Sequence, residues 1–342
     1  MASDKRIERF VKKFKGSRHD KLALRIVDLM LDGLEVEEFK KRCLEDHDFI
    51  VSALERVLED SEGLAPNTVR YRLYIAKKFI RFLGVRVDDD LLREQLDIPR
   101  KEVVKQDRAP TLEELKLILV NSTPRNRVLF HLIAACGLRI SEALRIRIGD
   151  LLLNEEPPLL RVKSAKSKKF RLVPLTRELV EVLKIYLKNR WGKAEADELL
   201  FPSNHNVRKM IPVADVQQYF TATLRKVGLL KRDSSGKGYE IHLHSLRKFY
   251  KTRLESAGVN PLMIERWMGH NLGSVAQAYY RPSKEEFMEE WRKAERALTI
   301  FAAGRETIEE YYRLEERIKE VEEKLEKLKR LTELASSLKL EL

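Results

Sequence analysis

Apolar residues recur three and four positions apart along most of the chain, which is the spacing of amphipathic helices. Residues 1–96 follow this spacing throughout, beginning with Phe10 and Phe14 on one face of a first helix. Breaks fall near Gly16 and Gly33, where glycine interrupts the helical pattern. Further helices are predicted over residues 22–31, 36–44 and 49–58. The N-terminal part of the chain is therefore expected to form an all-helical domain.

Ala65-Pro66-Asn67-Thr68 begins the next predicted helix, because proline suits the first helical turn. Ile75, Phe79 and Phe82 are expected to face inward. A solvated helix face usually mixes both signs of charge, whereas the outward face here is expected to carry five cations and no acid. This composition favours contact with a nucleic-acid backbone. The five cations are Arg70, Arg72, Lys77, Lys78 and Arg81.

A connection rich in proline and positive charge covers residues 97–110, and this composition favours an extended linker. Lys101, Lys105 and Arg108 are the linker cations expected to lie along a nucleic-acid backbone. Thr111 and Glu114 then have the spacing of a capping box, which marks the start of a helix. We therefore predict that a second domain begins at residue 111 and extends to residue 303.

The second domain is predicted to be mainly helical with few and short strands. Residues 128–135 form an apolar helical run, and Gly137 is placed to end that helix. Two short strands, residues 159–162 and 170–173, flank a basic turn and indicate a β-hairpin. Further helices are predicted over residues 176–189, 213–227, 244–256 and 261–268.

From residue 304 to residue 342 the composition changes to Glu, Lys, Arg and Leu. Apolar residues between Tyr311 and Leu328 alternate three and four positions apart, which is the seam of a coiled coil. An amphipathic helix lying on its own domain fits the same spacing equally well. The segment is therefore predicted to be a helical tail with one of these two packing modes.

Length and charge set the class of protein and of partner. A chain of 342 residues is long enough for two domains that each bury a core. Lys and Arg number 67 against 54 Asp and Glu, and the formal net charge of +13 favours a polyanionic partner. Charge alone does not separate DNA from RNA.

The two cysteines, Cys43 and Cys136, exclude a disulfide framework and a cysteine-rich metal site. Both are expected to be buried as small apolar residues. No apolar run approaches the length of a membrane span, and the N-terminus has no signal-peptide core. We therefore expect a soluble, cytoplasmic protein without a membrane partner.

The candidate chemistry is concentrated between residues 242 and 283. His244 and Arg247 are three positions apart on a predicted helix, so both can point at one target. An Arg fork suits a phosphate and stays protonated, whereas a His can donate, accept or transfer a proton. His270 follows the next helix, and Tyr279 comes nine residues later. A tyrosine becomes a nucleophile where cations or a base stabilise its phenolate, so the combination favours phosphate chemistry.

These residues resemble the catalytic motifs of the tyrosine recombinase (phage integrase) family. The family pattern is His-x-Leu-Arg, then Gly-His, then a Tyr about nine residues on. Here it is matched by His244-Ser245-Leu246-Arg247, Gly269-His270 and Tyr279. Upstream, Gly137-Leu138-Arg139-Ile140-Ser141-Glu142 resembles the family's Gly-Leu-Arg-x-Ser-Glu box. Pro66-Asn67-Thr68-Val69 is similar to a box in the family's core-binding domain.

The family also carries a catalytic Lys in a hairpin of pattern Gly-Lys-Gly-x-Lys-x-Arg before Val-Pro. Counting back from Val173-Pro174 places Lys166 on that Lys. Ala165 and Ser167 replace the two glycines of the pattern, so the register is open to neighbouring lysines. The other cations of the turn are assigned to DNA phosphate contact, namely Lys163, Lys168 and Lys169.

The resemblance implies a mainly α fold with a small β-hairpin or sheet. It implies a two-domain DNA clamp of helical core-binding domain and catalytic domain. By the same resemblance, Tyr279 would attack a DNA phosphodiester and leave a 3′-phosphotyrosyl link and a free 5′-hydroxyl. Arg139 and Arg247 would clamp the non-bridging oxygens, and Lys166 would protonate the leaving 5′-oxygen.

The remaining motif residues have implied roles as well. His244 would assist proton transfer with Tyr279, His270 would bind the phosphate, and Glu142 would orient an Arg. The resemblance implies no metal and no other cofactor. The implied partner is double-stranded DNA at a specific recombination site, on which a homotetramer would pair two sites.

Several functions share these motifs. The Tyr-Tyr-Arg-Pro-Ser run at residues 279–283 and Leu298-Thr299-Ile300 look like archaeal integrases, which favours integration and excision of a mobile element. A Xer-like resolvase of chromosome or plasmid dimers is the alternative within the family. A type IB topoisomerase would use similar chemistry on one duplex. A catalytically inactive DNA-binding protein of the same fold is the non-enzymatic alternative.

Overall fold

The structure is a computed structural model. It describes residues 4–14, 17–100, 106–164, 170–189, 195–203, 206–236, 238–270 and 281–301, together with Lys324 and Leu328. The chain divides into two compact units, Met1–Val104 and Lys105–Leu342. This division falls inside the segment that the sequence identifies as a linker.

The first unit is built from helices that bury one apolar face each. Phe10 of the first helix stacks edge-on against Phe79 of the fifth, with ring centroids 5.1 Å apart, and Phe39 is also fully buried. The segment before residue 48 therefore belongs to this core. The helices are α1 Lys5–Val11, α2 Ser17–Leu31, α3 Val36–Glu45, α4 His47–Glu59, α5 Pro66–Phe82 and α6 Asp89–Gln95.

One cation of α5 is not on the outward face, so the prediction for Arg72 is wrong. Arg72 is only 5% exposed, and its guanidinium donates to the backbone carbonyl of Asp60 at 2.9 Å and pairs with the Asp60 carboxylate. Val69 and Ala76, one turn to either side, are buried with it. A buried charge needs such a partner, which α4's C-terminal Asp60 supplies.

The other α5 cations differ in how far they are available to a ligand. Lys77 binds the Asp89 carboxylate at 2.7 Å, and Arg81 pairs with the same group. Lys78 lies over the Phe14 ring at 5.0 Å. Arg70 is exposed and donates to the carbonyl of Pro99 at 3.1 Å. An acid from α6 therefore neutralises part of a helix that carries no acid of its own.

The second unit is mainly helical and encloses the larger core. Helix α8 is buried on every side from residue 126 to residue 136, and α12 packs against it. The helices are α7 Leu112–Val120, α8 Pro124–Cys136, α9 Ile140–Ala143, α10 Arg177–Asn189, α11 Val213–Lys226, α12 Ser245–Ser256, α13 Pro261–Met268 and α14 Lys284–Leu298. The Thr111 capping box is present at the start of α7, as predicted.

The strands form two small antiparallel sheets. In the first, β2 pairs with β3 through Leu160 opposite Val173 and Arg161 opposite Leu172, while β1 pairs with the other edge of β2. This confirms the predicted hairpin and the mainly α fold class with a small sheet. The strands are β1 Leu151–Leu152, β2 Leu159–Lys163, β3 Phe170–Pro174, β4 Pro202–Ser203 and β5 Asn206–Met210.

Two further predictions have different outcomes. Cys43 and Cys136 are both buried and unpaired, as expected. The predicted helical tail, residues 304–342, lies outside the described residues apart from Lys324 and Leu328, so its packing stays a prediction.

Within the part of the chain that the structure describes, no helix is both long and apolar enough to cross a membrane.

Candidate active site

Arg139 is held at the junction of two helices. Gly137 ends α8 with φ 59°, a left-handed conformation that glycine adopts without strain. A Cβ at this position would also collide with the Tyr250 ring. Leu138 is buried, and Arg139 follows as the residue that precedes α9. The end of a rigid buried helix therefore fixes the backbone of Arg139.

Glu142 joins two arginines from inside the protein. Its side chain is fully buried and accepts from the Arg139 backbone N–H at 3.1 Å and from Arg139 Nη1 at 3.0 Å. Arg171 Nη2 donates to the same carboxylate at 2.8 Å. Burial opposes ionisation, but the hydrogen bond and charge of Arg171, followed by those of Arg139, lower the pKa of Glu142. The carboxylate is therefore charged at neutral pH.

Arg171 is a site residue that the motif analysis did not assign. It lies on β3, and its Nε donates to the carbonyl of Trp267 at 2.8 Å, next to the end of α13. The hairpin pattern of the family did contain a signal, since its final Arg precedes Val-Pro as Arg171 precedes Val173-Pro174. Arg171 thus ties the hairpin to Glu142 and to the helix before His270.

Arg247 is buried and connects the ends of two helices. It is 2% exposed; Nη1 donates to the carbonyl of Gly137, and Nη2 donates to the carbonyl of Met268 at 2.8 Å. Both carbonyls lie at helix C-termini, where partial negative charge accumulates. Burial and then the charge of Arg139 lower the pKa of Arg247 to about 10. The guanidinium therefore remains a cation at neutral pH.

His270 lies between Arg247 and a carboxylate. Arg247 Nη2 is 2.7 Å from His270 Nε2, and Nδ1 contacts the carboxylate of Glu265. A guanidinium only donates, so Nε2 accepts and the ring proton resides on Nδ1, from which it is donated to Glu265. The structure thus holds His270 in one tautomer.

His244 sits beside a second network. Its backbone N–H donates to His242 Nδ1 at 3.2 Å, and His242 Nε2 lies 2.9 Å from the Asp107 carboxylate. Lys248 Nζ binds the same carboxylate at 2.8 Å. Loss of hydration, then the charges of Arg247 and His242, lower the pKa of His244, although its residue surface stays exposed. His244 is therefore neutral at pH 7 and able to accept a proton.

The structure leaves part of the predicted site undescribed. Lys163 is exposed at the end of β2, with Nζ 5.9 Å from the centre of the Phe170 ring. Arg108 binds Glu114 at 2.7 Å and Glu240 at 3.3 Å, so its charge is neutralised within the unit and argues against the predicted DNA contact. The predicted site residues that lie outside the described ranges are Lys101, Lys105, Lys166, Lys168, Lys169 and Tyr279.

The arrangement suits a phosphate group. Arg139, Arg171 and Arg247 gather around the Glu142 carboxylate, so positive charge exceeds negative charge at this point. Arg139 keeps 34% of its side chain exposed, which leaves its guanidinium open to a ligand. No group of three or more His, Cys, Asp or Glu side chains that could hold a metal occurs among the described residues.

Glu142→Gln is expected to lower the free energy of unfolding by about 3–5 kcal/mol, because the largely buried Arg171 and the partly exposed Arg139 both lose the buried carboxylate that balances their charge. The lowered pKa of Glu142 means that its contribution is fully present above pH 4.5 and is lost as the pH falls through the lower folded value. Urea unfolding followed by tryptophan fluorescence measures this, since all three tryptophans lie in the second unit.

The matched control is Glu240→Gln, which removes a carboxylate from the partly exposed pair with Arg108. Its expected effect is below about 1 kcal/mol, as is usual for exposed pairs. If Glu142→Gln unfolds at the same urea concentration as Glu240→Gln, the Glu142 bridge does not stabilise the site.

Comparisons of the sequence with known proteins agree on one protein family. The profile of the phage integrase family matches residues 110–286. The tyrosine recombinase XerA of Thermococcus kodakarensis is 28% identical over 235 residues, which are 68% of this chain and 77% of that protein. A tyrosine recombinase of Pseudothermotoga lettingae is 31% identical over 162 residues, 47% of this chain and 51% of its own.

Solved structures show the same fold. A lambda integrase dimer bound to a COC′ core site matches with a TM-score of 0.55 at 16% identity, covering 82% of this chain and 95% of that one. The post-cleavage complex of XerH recombinase with its difH substrate matches with a TM-score of 0.54 at 19% identity, covering 84% of each chain. At these identities the likeness concerns the fold alone.

Proposed function

Since the chain belongs to the phage integrase family of tyrosine recombinases, we propose that it cleaves and rejoins double-stranded DNA at a specific site, with Tyr279 as the nucleophile. The observation that carries this proposal is the convergence of Arg139, Arg247 and His270 at one point on the ends of rigid helices. Two guanidinium groups held in this way suit a transition state in which charge grows on phosphate oxygens.

The proposed reaction balances without a metal or a nucleotide cofactor. The phenolic oxygen of Tyr279 bonds to phosphorus as the bond from phosphorus to the 5′-oxygen breaks. His244, neutral at pH 7, accepts the phenolic proton, and Lys166 donates a proton to the leaving 5′-oxygen. The 3′-phosphotyrosyl bond conserves the energy of the phosphodiester. The 5′-hydroxyl of a second duplex then reverses the steps and seals the exchanged strand.

The test is trapping on a nicked suicide duplex, in which loss of a short 5′ fragment prevents religation. The proposal expects a covalent protein–DNA adduct, together with recombinants from a plasmid that carries two copies of the site. Absence of any adduct would instead favour a DNA-binding protein without activity. An adduct and plasmid relaxation without recombinants would favour a topoisomerase.

Lys166→Ala is expected to block cleavage of ordinary DNA, because the leaving 5′-oxygen then receives no proton. A 5′-bridging phosphorothioate should restore cleavage in this variant, since a thiolate leaves without protonation. Single-turnover cleavage of both substrates measures the effect, with Lys163→Ala on β2 as the matched control. Rescue of Lys163→Ala rather than Lys166→Ala would move the catalytic position to Lys163.

We further propose that a homotetramer on two paired DNA sites carries out strand exchange and that the helical tail of residues 304–342 helps to hold it together. The seam between Tyr311 and Leu328 covers about three heptads, near the lower limit for stable pairing in water. Truncation before Glu306 is expected to keep single-site binding and cleavage but to impair multimer formation and recombination. Light scattering and a two-site recombination assay test this. Normal assembly by the truncated protein would exclude the tail from synapsis.

The biological role has two candidates. The run at residues 279–283 and Leu298-Thr299-Ile300 favour an integrase of a mobile element in an archaeal cytoplasm. The similarity to XerA of Thermococcus favours a resolvase of chromosome dimers. Sequencing the DNA that the protein binds in cells separates them. An integrase should occupy one site on a mobile element and a matching site on the chromosome, whereas a resolvase should occupy a single chromosomal site.

A further inference from the structure

Glu265 bridges the site to a lysine that no motif includes. It lies on α13, five residues before His270; Oε1 accepts from Lys251 Nζ at 2.7 Å, and Oε2 accepts from His270 Nδ1. Lys251 on α12 is also 3.7 Å from Glu255, one turn further along the helix. Burial opposes its ionisation, but hydrogen bonds from Lys251 and His270 lower the pKa of Glu265. The residue is therefore an anion in contact with His270.

In the observed arrangement the His270 ring has no N–H directed at a position that a phosphate could occupy. Nε2 accepts the N–H of Arg247, so the ring presents a lone pair where a phosphate oxygen, itself an acceptor, would lie. Donation from Nε2 requires a second proton on the ring. The proton on Nδ1 must stay in place at the same time, held by Glu265.

We propose that Glu265 is a positioning residue that enables His270 to take up a proton when a DNA phosphate enters the site, so that Nε2–H donates to a non-bridging oxygen. The inference rests on the proposed recombinase function. When the phosphate arrives, the Arg247 N–H now directed at His270 turns to the phosphate. Nε2 then takes a proton from solvent, and Glu265 stabilises the resulting imidazolium through Nδ1–H.

The charges around His270 explain why an anion is needed. Arg247 contacts the His270 ring, and the Arg171 guanidinium lies against the neighbouring Gly269, so two cations stand close to the ring. A neutral acceptor at position 265 would orient the ring but would not offset these cations. Among the described residues, the charged and titratable groups around the Arg247–His270 pair are Arg139, Glu142, Arg171, His244, Tyr250, Lys251 and Glu265.

The test is the pH dependence of single-turnover cleavage on the suicide duplex. Glu265→Gln keeps an oxygen that accepts from Nδ1–H but removes the charge. The alkaline limb of the profile should therefore move to lower pH by about one unit, and cleavage on that limb should fall about 10-fold. Duplex affinity, measured separately, should stay within about threefold. Lys251→Met removes the cation that partly offsets the negative charge of Glu265. The alkaline limb of the profile should therefore move to higher pH.

Glu255→Gln is the matched control, because it removes the other carboxylate near Lys251 without touching His270. Its profile should superimpose on that of the wild type. A uniform loss of rate in Glu265→Gln without a shift of the limb, or no change at all, overturns the proposal. If Glu265→Gln does not fold, Lys251→Met still tests the proposal. An unshifted pH profile of Lys251→Met also overturns it.

A second readout does not depend on cleavage. In the Tyr279→Phe protein bound to duplex, the titration of the His270 ring followed by NMR should move to lower pH when Glu265→Gln is added. An unchanged titration contradicts the proposal. If the wild type forms no covalent adduct, the recombinase function itself fails, whereas an active wild type with unshifted variants overturns only the role of Glu265.

Discussion

Tyr279→Phe is expected to abolish the covalent protein–DNA adduct on a suicide duplex, while duplex affinity stays within about threefold of the wild type. The phenolic oxygen is the atom that bonds to phosphorus, so its removal eliminates the reaction rather than slowing it. The substitution keeps the aromatic ring and removes only the hydroxyl group. The measurement is denaturing gel electrophoresis of the trapped complex, with peptide mapping of the labelled tyrosine.

Tyr280→Phe provides the matched control, because the neighbouring residue has the same chemistry one position away. This variant should form the adduct at the wild-type rate. An adduct mapped to Tyr280, or full cleavage by Tyr279→Phe, would transfer the role of nucleophile. The spacing of nine residues from His270 is the basis for choosing Tyr279, and only the peptide map tests it.

Local signals explain why much of the fold was predictable from sequence. Gly137 ends α8 because its left-handed φ is a property of one residue, and the sequence shows that residue. Helix α13 is observed over the predicted range because Pro261 begins it and Gly269 ends it. The hairpin likewise follows from two short strands beside one basic turn. In each case the deciding residues lie within the element itself.

Contacts between segments far apart in sequence could not be predicted from local sequence patterns. Helical spacing puts Arg72 on the face of Ile75 and Phe79, but its charge predicts an exposed position. No local pattern reveals Asp60, its partner 12 residues earlier at the end of another helix. Asp107 lies 135 residues from His242, and no motif connects them. Glu265 resembles any solvated acid on a helix until Lys251 and His270 are seen beside it. The charges that tune the site therefore became visible only in the structure.

The motif residues that make these contacts are all held at the ends of helices. Arg139, Arg247 and His270 each lie at the end of a helix, and their partners include the carbonyls of Gly137 and Met268. A helix end can hold a side chain rigidly because the helix behind it is packed in the core. Preorganisation of this kind lowers the cost of stabilising a transition state, which a flexible loop could not do.

Arg247→Ala is expected to lower the rate of cleavage by about 100- to 1,000-fold, because the lost donor acts most strongly on the charge that develops in the transition state. Duplex affinity should change by no more than a few-fold, since many other contacts hold the DNA backbone. The variant also leaves the carbonyls of Gly137 and Met268 without a donor, which costs about 1–3 kcal/mol each. Cleavage must therefore be measured at a temperature where the variant is shown to be folded.

Arg139→Ala separates catalysis from stability, because Arg139 is one-third exposed and Glu142 keeps its bond to Arg171 when Arg139 is removed. It should lose cleavage on the same scale as Arg247→Ala with a much smaller change in unfolding free energy. Arg70→Ala on the exposed face of α5 is the opposite control, expected to weaken binding while the cleavage rate of bound DNA is unchanged. Equal losses of affinity and cleavage in the Arg139 and Arg247 variants would show that both residues position DNA rather than stabilise the transition state.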